Sequence, residues 1–199
     1  MSYIQGIQAY LRREIELLQS LDAAMIDAAM QELEQAYQRD ADIYIFGNGG
    51  SAATASHYAN DFNKGLSEQL ERKFRFICLN DNVPTVMAVA NDISYDEVFR
   101  YQLRGRLRKN DLVIGISGSG NSRNVLNAIR YAKECGVRTL GIVGYDGGQL
   151  KQLADVSLHA PICNMQVSED LHMMFDHLMM SVFCEAWKWR NCKHLWLWG

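Results

Sequence analysis

Proline is nearly absent from this sequence, with two among 199 residues, and no proline-rich or low-complexity stretch interrupts it. The chain therefore offers no obvious linker at which to divide it. Long apolar runs are missing too: no window approaches the ~20 apolar residues of a membrane-spanning helix. The first twenty residues carry charges inside their apolar pattern, which excludes a signal peptide and leads us to expect a cytoplasmic protein. The five cysteines (Cys78, Cys135, Cys163, Cys184, Cys192) are odd in number and lack a Cys-x-x-Cys pair. That argues against a disulfide framework and a cysteine-based zinc site, and suits a reducing cytosol. A formal net charge of −3 speaks against coating nucleic acid, since such proteins replace phosphate counterions with a basic face. The local cluster Arg100, Arg104, Arg106, Arg108 and Lys109 reads as a solvated helix face in preference to a binding patch.

What is present is periodic. From Ile4 to Tyr37 apolar residues recur at helical spacing, giving two helices or one long bent one. The period then shortens: "DIYIFG", "FRFICLN", "DLVIGIS" and "RTLGIVGY" are β-rich runs ending in glycine or polar residues, and "VSLHAP" is a weaker fifth. Between them lie helical stretches such as "SRNVLNAIRYAKECG", whose Gly136 suits a helix C-terminus. A final helical run covers "SEDLHMMFDHLMMSVFCEAWKW". Alternation of this kind specifies an α/β fold, a doubly wound parallel β-sheet with helices on both faces. We expect one domain over 1–199, made of N-terminal helices (1–39), an α/β core (40–185) and a tryptophan-rich tail (186–199). The tail's tryptophan density suggests packing against a neighbouring subunit more than against an external partner.

Two turns at strand ends are rich in glycine and serine, "GNGGSA" (Gly47 to Ala52) and "SGSGNS" (Ser117 to Ser122). In doubly wound sheets ligands sit at the carboxyl ends of the strands. Glycines let backbone N–H groups approach an anion, hydroxyls add donors, and the following helix N-terminus contributes partial positive charge. A single such turn is as readily a tight connection with a capping serine, but two together favour a phosphate monoester. Neither loop has the nucleotide-triphosphate pattern G-x-x-x-x-G-K-[ST], nor the dinucleotide pattern G-x-G-x-x-G.

His57 and Asp61 stand at i and i+4, on one face of the helix expected after the first loop. Glu169 and His177 lie eight residues apart on the last helix, roughly 80° around its axis. Such a set of two imidazoles and two carboxylates could hold a divalent metal, although by spacing alone His57 with Asp61 reads first as a capping or salt-bridge pair. His172, on the same last helix, reads as a core residue or one behind the site in preference to a ligand.

The segments "GNGGSAATASHYANDF", "ANDISYDEVF" and "GISGSGNSRNVLNAI", in this order and spacing, resemble the SIS (sugar isomerase) domain family, and within it the sedoheptulose 7-phosphate isomerases. The resemblance runs to about Glu185. It implies a flavodoxin-like three-layer sandwich, a homotetramer with sites built from more than one subunit, and isomerisation of a sugar phosphate through an enediol(ate). It further implies phosphate held by Ser51, Ser117, Ser119 and Ser122 in loops that include Gly49, Gly50 and Gly118, with Asn48 and Asp92 on the substrate. The zinc site of that family is His, Glu, Gln, His; the histidines match His57 and His177, the Glu position holds Asp61 and the Gln position Glu169. Asp61, or Glu169 in its stead, would be the proton-transferring base and His177 the acid. Asp61 is one methylene shorter than glutamate, and two carboxylates would neutralise a dication and weaken it as a Lewis acid. The same resemblance leaves room for a non-catalytic SIS protein that associates with the DnaA initiator, or one that senses a sugar phosphate.

Overall fold

The computed structural model describes residues 2–191. Two N-terminal helices, α1 (Ile4–Ser20) and α2 (Ala23–Gln38), come first. They are separate because Leu21 is extended and Asp22 caps α2, its carboxylate accepting from the Ala24 N–H at 2.9 Å. Five strands follow at the predicted places: β1 (Ile43–Gly47), β2 (Phe76–Cys78), β3 (Leu112–Ser117), β4 (Arg138–Val143) and β5 (Val156–His159). All pair in parallel, in the order β2-β1-β3-β4-β5. The order reverses between β1 and β3, so the crevice at their carboxyl ends is where a ligand fits in a sheet of this kind.

β1 and β3 are buried along their whole length, which is why their sequences are continuous apolar runs without alternation. Alternate residues serve opposite layers. Ile43 and Ile45 of β1 and Ile114 and Ile116 of β3 face α2, α3 (Gly50–Asn60) and α8 (Met165–Asn191). Tyr44, Phe46 and Val113 face α5 (Val98–Leu103), α6 (Arg123–Glu134) and α7 (Gly148–Leu153). Another short helix, α4 (Val83–Asp92), follows β2.

Trp187 of the expected tail is 8% exposed and stacks on Phe74 at 6.0 Å, with Tyr37 and Phe183 close by. This tryptophan packs within its own chain. Residues 192–199, with Trp196 and Trp198, lie outside the described residues.

Candidate active site

β1 delivers the first glycine-serine turn directly into α3, and β3 delivers the second into α6. Gly49 opens α3 with φ of 54°. Ser51, in the first turn of α3, is buried. In the second loop, Ser117 and Ser122 share a hydrogen bond between hydroxyls at 3.0 Å. Ser122 sits at the N-cap of α6 and its hydroxyl makes no capping bond. The Ser119 hydroxyl accepts from the Asn121 N–H, and the Gly118 carbonyl accepts from the Gly144 N–H at 2.9 Å, tying the loop to the end of β4.

An amide pair joins the first loop to the first turn of α6. Asn48 donates to Asn124 and accepts from it, each bond 2.9 Å, and the Tyr95 hydroxyl donates to the Asn48 side-chain oxygen at 2.8 Å. Asn124 and Tyr95 were not singled out from the sequence, because nothing local says that a residue of α6 and one after α4 meet at Asn48. Asp92, at the end of α4, is exposed and accepts from Asn91.

At the other end of α3 a polar cluster forms with α8. The Nε2 atoms of His57 and His177 are 3.0 Å apart. Asp61 Oδ2 is 3.4 Å from the first and 3.9 Å from the second, and its Oδ1 accepts from Asn60. Asp61 stands where α3 widens into a π-helical turn spanning Asp61–Leu66, a distortion often found at functional sites.

Glu169 does not join this group. Eight residues of α-helix rise about 12 Å, so Glu169 and His177 of one chain point at different ends of the site. The Glu169 carboxyl group lies over Gly50, where an added Cβ would come within 2.6 Å of its Cδ. A residue larger than glycine would expel it. The fourth member of the cluster is instead Asp176, whose Oδ2 is 4.0 Å from His57 Nε2. Asp176 is 0% exposed. Burial, and secondarily the charge of Asp61, pushes its carboxyl up to about 8. The signal for it was an acid on the buried stripe of α8, one turn beyond His172, in a helix otherwise packed through Leu171, Phe175 and Met179.

His172 is a core residue, as its pattern suggested: 1% exposed, with both ring nitrogens unpartnered. Burial lowers it from the ordinary 6.5 to about 4. The unfolded chain takes up this proton near 6.5 and the folded chain withholds it until about 4. Stability present above that window is therefore lost as pH falls through it, by up to about 3 kcal/mol. Buried Asp176 contributes the opposite slope over the same range, so the readout is the difference: as pH falls between these limits the natural protein should lose stability relative to His172→Leu in thermal melts, and parallel profiles would remove His172 as the cause.

Two glycine-serine loops thus meet at a switch point of the sheet, with a cluster of imidazoles and carboxylates one helix length away. Residues 2–144 match the SIS domain family, and the chain belongs to it. Within that family it falls among the phosphoheptose isomerases. It is 38% identical over 170 residues to that of Helicobacter pylori (strain HPAG1), covering 85% of each chain. To the phosphoheptose isomerase of Aliarcobacter butzleri it is 38% identical over 140 residues, 70% of this chain and 74% of the other. The solved phosphoheptose isomerase of Neisseria gonorrhoeae superposes with a TM-score of 0.84 at 27% identity, over 92% of this chain and 100% of that one.

Proposed function

We propose that the chain interconverts sedoheptulose 7-phosphate and D-glycero-D-manno-heptose 7-phosphate through an enediol(ate). The observation that carries this reading is α3 itself. It begins in the first glycine-serine loop and ends in the imidazole–carboxylate cluster. From Gly50 to His57 it rises about 10 Å, a length suited to an open seven-carbon chain with phosphate at the far end. The kinship with phosphoheptose isomerases supports the same substrate.

In this reading the phosphate lies between the two loops against Ser51, Ser117, Ser119 and Ser122, with Gly49, Gly50 and Gly118 supplying close backbone. Asn48, fixed by Asn124 and Tyr95, contacts the sugar, and Asp92 closes over it. Asp61 takes the proton from C1 and returns it at C2, and His177 serves the neighbouring oxygen. Glu169, lying at the phosphate end, guards the entrance to α3 and is less well placed as the base. His57, Asp61 and His177 fit a divalent cation, zinc in the first instance, because their nitrogen and oxygen atoms converge. When bound, such an ion supplies Lewis acidity at the carbonyl end.

An exposed apolar face on α1 (Ile4, Ile7, Leu11, Ile15, Leu18) supports assembly of copies of this chain, in keeping with a homotetramer. No described helix is long and apolar enough to cross a membrane. Among the described residues Cys78, Cys135, Cys163 and Cys184 form no disulfide, which accords with a reducing cytoplasm.

Incubating the purified protein with sedoheptulose 7-phosphate and zinc should yield the aldoheptose phosphate, followed by NMR. No turnover with zinc, manganese or iron present would overturn the assignment.

A further inference from the structure

We propose that Asp176 is the buried fourth ligand of a divalent cation held by His57, Asp61 and His177, so that one chain supplies a complete centre of two imidazoles and two carboxylates. The inference deepens the metal-assisted reading above and rests on its placing a cation at this cluster.

Three observations converge. The first is geometric: the four ligand atoms all lie within 4.8 Å of one another. Four of the six distances within the group are 3.0, 3.4, 3.9 and 4.0 Å. Nitrogen ligands at ~2.0–2.1 Å from a tetrahedral zinc stand about 3.3 Å apart, so small side-chain adjustments bring the set to coordination distance.

The second is an absence of partners. Both oxygens of Asp176 are buried and make no hydrogen bond, although its Oδ2 faces the His57 ring. Buried carboxyl groups are normally hydrogen-bonded, paired or bound to metal. Among the described residues no hydrogen-bond donor satisfies this one, and a cation between it and the imidazoles would.

The third is the position of Glu169. Its carboxyl lies over Gly50, and about 12 Å of helix separates it from His177. Asp176 and His177 are adjacent in sequence and reach the same point.

The arrangement divides the work of the two acids. Asp176 is sealed from solvent, so it can neutralise and hold the ion but cannot meet a sugar. The Asp61 side chain is 16% exposed and remains within reach of substrate. Two carboxylates cancel the charge of a dication, which trades Lewis acidity for retention of the ion.

The test is calorimetric titration of zinc alone into the chelator-stripped full chain, for the natural protein and for Asp176→Asn, Asp176→Leu and Glu169→Gln. We expect one zinc per chain, affinity lowered at least tenfold in both Asp176 variants, and no change in Glu169→Gln. Thermal melts accompany the titration. Without metal, Asp176→Leu should melt at or above the natural protein, since it removes an unpartnered buried carboxyl, and zinc should raise its melting temperature far less than that of the natural chain. Unchanged zinc affinity in Asp176→Asn, or loss in Glu169→Gln alone, would overturn the proposal, as would a natural chain that binds no zinc. Because these readouts need no substrate, zinc binding that depends on Asp176 in a protein inert towards sedoheptulose 7-phosphate would uphold the ligand assignment and reject the isomerase reading.

Discussion

Asp61→Asn is expected to lower kcat for the ketose-to-aldose conversion by about two to four orders of magnitude, with KM within a few-fold of the natural value. The amide keeps the shape of the side chain and can still meet Asn60, but it cannot take a proton from carbon. KM should hold because, in the proposed reading, the phosphate end of the substrate lies between the two serine loops, a helix length away from Asp61. His177→Gln should behave similarly through loss of the group that serves the sugar oxygen. Initial rates at saturating sedoheptulose 7-phosphate, measured with the zinc content of each variant, separate lost proton transfer from lost metal. A kcat that stays within about tenfold for zinc-loaded Asp61→Asn would remove Asp61 from the chemistry and leave a different group as base.

Gly120→Ala is expected to be among the most destabilising single-methyl additions to this protein. Gly120 has φ of 65°, and an added Cβ would lie 2.5 Å from the Gly147 carbonyl carbon and 3.0 Å from Gly148 Cα. The obstruction is backbone on the opposing turn, itself anchored because the Gly120 carbonyl accepts from the Leu150 N–H at 2.9 Å. Neither side can yield by rotating a side chain. Left-handed strain with this clash should cost about 3 kcal/mol or more, which in a chain of this size lowers Tm by roughly 10 °C. The movement opens the second serine loop, so KM for the sugar phosphate should rise as well. Gly136→Ala is the internal control. Its φ of 71° is as positive, yet nothing lies within 4 Å of the added methyl, so only the strain of about 1 kcal/mol remains. Equal losses in the two variants would show that backbone strain, and not the contact with Gly147, sets the cost at Gly120.

Much of the architecture was legible because burial dictates composition. β1 and β3 are covered on both faces, so "IYIFG" and "LVIGIS" could hardly contain polar residues before their ends. The shorter α4, α5 and α7 were not distinguished, since six to ten residues hold too few helical periods to stand out from their surroundings. The serine loops were legible because their chemistry is local: glycines and hydroxyls adjacent in the chain stay adjacent in the fold. The His57–Asp61 pair was legible for the same reason, as one turn of helix fixes it. Glu169 was a different matter. Its angle around α8 is compatible with the cluster, but eight residues of axial rise carry it to Gly50.

The sequence by itself determined the parallel sheet, the two glycine-serine turns and the identity of His57, Asp61 and His177 as chemically suited groups, because each follows from periodicity or from neighbours a few residues apart. Only the tertiary structure decided which side chains share one point in space. It set Asn124 and Tyr95 on Asn48, laid Glu169 over Gly50, and brought Asp176, unpartnered and sealed from water, to the two imidazoles. Those contacts join residues 47 to 119 positions apart wherever helices cross or loops meet. No local pattern of residues encodes such distances; the packing of α3, α6 and α8 around the sheet does.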